Sequence, residues 1–136
     1  MSGQILKDKL NMKINRSTRQ VFLRRDFEKL SGYDQIGRAL RELAAEGKLI
    51  KIGYGLYAKA RLNRLTGKPM LAADGGFIQV AKESLNRLGV KWVESEFADA
   101  YQNGSTQIPA NAEVIVLGRF NRKIGTNKFK LRFTTN

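Results

Sequence analysis

The chain has 136 residues, is 42% hydrophobic and carries 25 Lys and Arg against 12 Asp and Glu, a formal charge of +13 with a pI near 10.3. It has no cysteine and no histidine, which excludes a disulfide framework, a thiolate nucleophile, a Ser-His triad and the usual nitrogen or sulfur zinc sites. No stretch has the apolar length of a membrane span, and MSGQILKDKLNMKI lacks the unbroken apolar core of a signal peptide, so a soluble cytoplasmic protein is expected.

From the N-terminus, Ile5, Leu6, Leu10, Met12 and Ile14 are spaced as in a short amphipathic helix. After Ser17 and Thr18, residues 20–22 read as a short extended run and residues 24–30 as a helix. Asp26 suits the N-terminal dipole of that helix, and Phe27 and Leu30 share one face. The next helix, residues 31–46, is the best defined. Ser31 is its expected N-cap, with Asp34 three residues on in a capping-box-like arrangement. Ile36, Ala39, Leu40, Leu43 and Ala44 form its core stripe, and Gly47 is its left-handed stop. Opposite the stripe lie Asp34, Gln35, Arg38, Arg41 and Glu42. Residues 49–52 and 56–58 read as two strands joined by a tight turn, with Gly53 and Gly55 supplying positive φ.

After Arg61 the composition shifts to a Gly- and Pro-containing stretch that reads as a linker, itself basic through Arg61, Arg64 and Lys68. Residues 77–88 form a second amphipathic helix, with Phe77, Val80, Ala81, Leu85 and Leu88 on one face and Gly89 as its stop. Residues 90–101 fit strand or helix equally, and Pro109 belongs to a loop. Residues 113–117 read as a buried strand. In residues 128–133, Lys128, Lys130 and Arg132 alternate with Phe129, Leu131 and Phe133. The expected class is α+β: a winged helix-turn-helix over residues 1–66, then a small α+β domain with antiparallel strands over residues 67–136.

The charge is unevenly spread. Residues 1–68 hold 16 basic and 6 acidic side chains, net +10; residues 69–118 are net −3; residues 119–136 are net +6. Such asymmetry favours a binding face for a polyanion, with double-stranded DNA the default. In the winged-helix reading, Arg38 and Gln35 suit base edges, Arg for guanine and Gln for adenine, and Arg41 shares their face. Ser31 and Tyr33, at the helix N-terminus, would hold phosphate. Lys48, Lys51 and Lys59 would flank the wing as phosphate contacts, with Arg61 just beyond. Tyr54 is either a wing-tip contact to sugar or minor groove or a turn residue packed on the hairpin.

The run from Phe22 to Ala58, ending EGKLIKIGYGLYAK, resembles the winged-helix domain of AbiEi-like antitoxins of type IV toxin–antitoxin systems. The second half, through LGVKW, YQNGSTQIPANAEVIVLG and NRKIGTNKFKLRF, resembles the region after the winged helix in a related bacterial family. There a Ser-Thr-Gln-Val-Pro-Ala motif precedes a strand, and here it reads Ser105-Thr106-Gln107-Ile108-Pro109-Ala110. The resemblance runs from about Val21 onward. It implies DNA binding, autoregulation of an operon and neutralisation of a nucleotidyltransferase-type toxin.

Other readings compete with this one. A winged helix also serves as a protein-docking module, so a toxin-neutralising module without DNA binding is the alternative. Lys128, Lys130 and Arg132 are either a second nucleic-acid surface or a solvated sheet face. Glu94, Glu96 and Asp99 near Lys91 match no magnesium-site spacing and read as a solvated acidic patch. RNA binding is disfavoured because the C-terminal strand lacks exposed aromatic pairs. No enzyme activity, cofactor or metal is expected. A monomer and a homodimer both fit, and no coiled-coil heptad is visible.

Overall fold

A computed structural model describes residues 3–94 and 112–135 of the chain. The fold is mixed α+β and divides into two units, Met1–Asp74 and Gly75–Asn136. No described helix is long and apolar enough to cross a membrane.

The first unit opens with helix α1 (Gly3–Arg16), which buries Leu6, Leu10 and Ile14 at i, i+4 and i+8. Strand β1 (Val21–Leu23) follows. The helix expected over residues 24–30 is only a single 3-10 turn, Arg24–Phe27. The Leu23 amide donates to Asp26 Oδ2 at 2.9 Å and the Leu30 amide to the Phe27 carbonyl at 2.9 Å. Asp26 therefore ties the chain back at the entry, and i→i+3 bonds hold the turn in place of α-helical ones.

Helix α2 (Tyr33–Ala45) carries the expected stripe, with Ile36, Ala39, Leu40 and Leu43 buried. Its N-cap is Gly32, not Ser31, and no side chain caps it. The helical register starts one residue later than expected, with the Ile36 amide donating to the Gly32 carbonyl at 3.0 Å. Ser31 thus lies outside the position from which a hydroxyl reaches the first free amides, and it donates to Gln35 Oε1 instead. The C-terminal end meets the expectation. Gly47 has φ 80°, its amide donates to the Ala44 carbonyl at 3.1 Å, and that of Lys48 reaches Leu43 at 3.0 Å, the two bonds of a Schellman motif.

Strands β2 (Leu49–Gly53), β3 (Leu56–Leu62) and β4 (Pro69–Leu71) complete the unit. Strand β3 lies between β1 and β2, antiparallel to both, with Phe22 and Lys51 each opposite Tyr57. Only Gly55 in the β2–β3 turn has positive φ (64°). Gly53 instead ends β2 opposite Leu56, after a register shift that follows Lys51, so the turn needs a left-handed residue at one position only. Phe22, Leu49 and Tyr57 join Phe27 and the apolar stripes of α1 and α2 in one core, each large side chain contributing about 1.5–3 kcal/mol by leaving water.

Residues 61–71 are not a linker. β3 runs on to Leu62 and pairs antiparallel with β4, placing Arg61 opposite Met70. Asn63 Oδ1 accepts from the Leu65 amide at 2.8 Å, and Gly67 (φ 70°) donates to the Asn63 carbonyl at 2.7 Å, closing a second hairpin.

The second unit contains α3 (Gly76–Arg87), β5 (Trp92–Glu94), β6 (Ala112–Val116) and β7 (Leu131–Thr135). Phe77, Val80, Ala81 and Leu85 of α3 are buried, and Gly89 (φ 74°) ends it as expected. The expectation of antiparallel strands holds for β5 and β6 and fails for β7, which runs parallel to β6 with Ala112 opposite Leu131. A parallel pair needs a crossover, and residues 117–130 supply it without a helix. Along β7 and its approach, Lys128, Lys130 and Arg132 are exposed, Leu131 is buried, and Phe129 and Phe133 are half-buried. Phe129 stacks on Phe77 at 5.6 Å between ring centroids. Glu96, Asp99, Tyr101 and the Ser105–Ala110 motif lie outside the described residues.

Candidate nucleic-acid interface

The buried stripe of α2 fixes what its other side shows. With about 100° between successive residues, Arg38 falls near the middle of the outward face, with Arg41 about 60° to one side and Gln35 about 60° to the other. Arg38, Arg41, Gln35, Asp34 and Glu42 are all exposed. Neither Arg38 nor Arg41 pairs with a carboxylate among the described residues. Gln35 is partly committed: its Oε1 accepts the Ser31 hydroxyl with one of its two lone pairs. The single proton of the Ser31 hydroxyl is engaged in that bond, so Ser31 donates to a phosphate only if the bond opens.

The hairpin residues do not form one group. Leu49, Lys51, Tyr57, Lys59 and Arg61 share the face of the β2–β3 ribbon that packs on α2, because Lys51 lies opposite Tyr57 and Leu49 opposite Lys59. Lys48 alternates to the other face and pairs with Glu46 at 3.3 Å. The Lys59 ammonium is turned to the Ser17 carbonyl, so it ties β3 to the segment after α1. Arg61 is exposed at the β3–β4 end of the ribbon, and Tyr54, 74% exposed, is at the opposite tip. Lys51, Lys59 and Arg61 thus lie on the α2 side of the ribbon, Lys59 engaged by the Ser17 carbonyl and Arg61 toward the β3–β4 end, whereas Lys48 lies on the other face and Tyr54 at the tip.

Arg24 is the residue that sequence reasoning missed. It leaves the 3-10 turn and lies on the Arg41 flank of α2, with its Cζ 4.3 Å from the Tyr33 ring centroid, a cation–π distance. Tyr33 itself remains 60% exposed. Gly37, one turn after Tyr33, provides the floor: a Cβ there would stand 2.7 Å from Arg24 Cζ. Tyr57 senses both cations of this flank. Burial pushes its phenol above the ordinary value of 10.0, while Arg24 and Arg41 pull the other way.

Elsewhere some of the charges compensate one another. Lys7 of α1 pairs with Glu46, which lowers the Glu46 pKa and raises that of Lys7, mainly through their hydrogen bond. Glu94, from the acidic trio, pairs with Lys82. No group of three or more acidic side chains suited to a metal occurs among the described residues.

Helix α2, the ribbon face beside it and the turn that precedes it thus make a cationic surface with planar guanidinium groups, a chemistry suited to phosphate or to base edges. No family model, curated protein or solved structure matches the chain.

Proposed function

We propose that this chain binds double-stranded DNA sequence-specifically through its first unit and represses transcription, of its own operon in the manner of an AbiEi-like antitoxin. In this reading the first unit is a winged helix. The 3-10 turn stands where the first helix of the helix-turn-helix pair belongs, α2 is the recognition helix and the β2–β3 ribbon is the wing. Arg38 reads a base edge, while Arg41 and Lys51 hold phosphates.

One observation carries the proposal: Arg38 and Arg41 stand exposed on the face of α2 opposite a fully buried stripe, with no carboxylate partner among the described residues. Acids one turn away can pair with the cations of a helix face, and here Asp34 and Arg38 have that spacing without pairing.

The test is a gel shift of the purified chain on the DNA upstream of its own gene, with random duplex as competitor. Arg38→Ala should reduce the preference for the upstream duplex, with a bidentate base contact worth about 1–3 kcal/mol. Lys51→Ala should weaken both duplexes alike. An unchanged preference in Arg38→Ala removes α2 as the reading helix. Failure of the wild-type chain to shift either duplex rejects the proposal as a whole.

A further inference from the structure

We infer that Arg24 is a pre-set phosphate-binding residue of this interface, and that Gly37 is glycine because the Arg24 guanidinium occupies the place of its side chain. The inference deepens the duplex-binding reading and rests on it.

Gly37 lies in the middle of α2, directly before a run of good helix formers, RALRELAA. Glycine weakens a helix there relative to alanine, because its backbone has more freedom to lose. No left-handed conformation requires it, since Gly37 is not among the positive-φ glycines. The space does. A Cβ would stand 2.7 Å from Arg24 Cζ and 2.9 Å from each of its terminal nitrogens. The guanidinium is therefore held between the helix backbone at Gly37 and the Tyr33 ring one turn earlier, with Cζ 4.3 Å from the ring centroid.

Nothing in the described chain neutralises the group so held. Arg24 pairs with no carboxylate, and its Nε is enclosed without an acceptor. Arg41 acts on the same Tyr57 phenol and so adds a second cation to this flank. Two guanidinium groups on one flank, neither paired with a carboxylate among the described residues, repel each other in the free protein, and a bound anion relieves that repulsion. Holding the side chain in advance also removes part of the rotamer entropy that a flexible arginine loses on binding. A fixed planar fork of donors matches a phosphodiester oxygen pair.

A purely structural role for Arg24 makes the opposite forecast, which Gly37→Ala exposes. The clashing atoms belong to the far end of a flexible side chain, so alanine should be accepted by the helix while the guanidinium is displaced. The experiment measures thermal unfolding, together with anisotropy of fluorescein-labelled upstream and random duplexes across a salt series, for the full chain, Gly37→Ala and Arg24→Gln. The expected result is a Tm for Gly37→Ala at or above that of the wild type. Both variants should bind both duplexes about tenfold more weakly, with a log–log salt slope smaller by about one. Should Gly37→Ala fail to fold, Arg24→Gln leaves the helix untouched and carries the same comparison. Wild-type affinity and slope in the variants overturn the assignment while leaving duplex binding standing. A loss confined to the upstream duplex overturns it in favour of a base contact. A wild-type chain that binds neither duplex overturns the duplex reading, and this assignment with it.

Discussion

The two flanks of α2 both present exposed side chains and differ in almost everything else. On one, Gln35 is engaged by Ser31, and Glu42 adds negative charge. On the other, Tyr33, Gly37 and Arg41 succeed one another at single-turn spacing, and Arg24 is laid over the first two. One flank satisfies itself; the other concentrates positive charge, and Asp34, the acid on that side of the helix, pairs with none of it among the described residues. Solvent exposure alone does not mark a binding surface, therefore. In the proposed reading, the mark is a cation held in place by neighbours that do nothing to neutralise it.

The most severe way to break this comparison is to remove the core that supports both flanks. Leu40, fully buried in α2, should lose about 2–5 kcal/mol on truncation to alanine, measured by urea unfolding. Duplex binding should weaken in proportion to the unfolded fraction. A more selective test sets one flank against the other. Arg41→Ala should weaken binding to any duplex by about tenfold, the scale of one charge-assisted contact. Glu42→Ala should leave binding equal or stronger, and a loss in Glu42→Ala matching that in Arg41→Ala would erase the distinction.

Smaller effects follow from pH and from the self-satisfied flank. Below pH 10.0, the ordinary value for tyrosine, Tyr57 is protonated in both folded and unfolded chains. Above it the unfolded phenol ionises first, because burial raises the folded pKa, so stability contributed by the buried neutral phenol declines as pH rises through the folded value. Tyr57→Phe should lose less stability than the wild type over that alkaline window. Arg41→Ala should move the phenol's spectroscopic titration further upward, since one of the opposing cations is gone. Ser31→Ala, which only frees Gln35, should change stability by about 0.5 kcal/mol or less; a larger loss would show that the Ser31–Gln35 bond organises the start of the helix.

Much of this was legible in the sequence where a single local pattern decided the outcome. The stripe of α2, its Gly47 stop, the α3 face ending at Gly89 and the in–out alternation near β7 follow from periodicity and glycine chemistry. Two of the failures share a cause, which is that nearby residues compete for one role. Ser31 and Gly32 compete for the cap, and the helix starts late enough for glycine to take it. Gly53 and Gly55 compete for the left-handed turn position, and the register shift assigns it to Gly55. The supposed linker conceals β4 because a three-residue strand shows no periodicity of its own, and its pairing comes from the length of β3. At the candidate site, the exposed arginines of α2 were readable and Arg24 was not, since its placement depends on a contact from outside the helix. The available clue was Gly37, a glycine in mid-helix with no turn to make.

The central claim is that α2 and the adjacent ribbon face grip a duplex through Arg41 and Lys51. Its most direct test is the salt dependence of upstream-duplex affinity, measured side by side for the wild type and the double variant Arg41→Ala/Lys51→Ala. The account predicts a log–log slope shallower by about two, one for each phosphate contact removed. A double variant with the wild-type slope and affinity would contradict it.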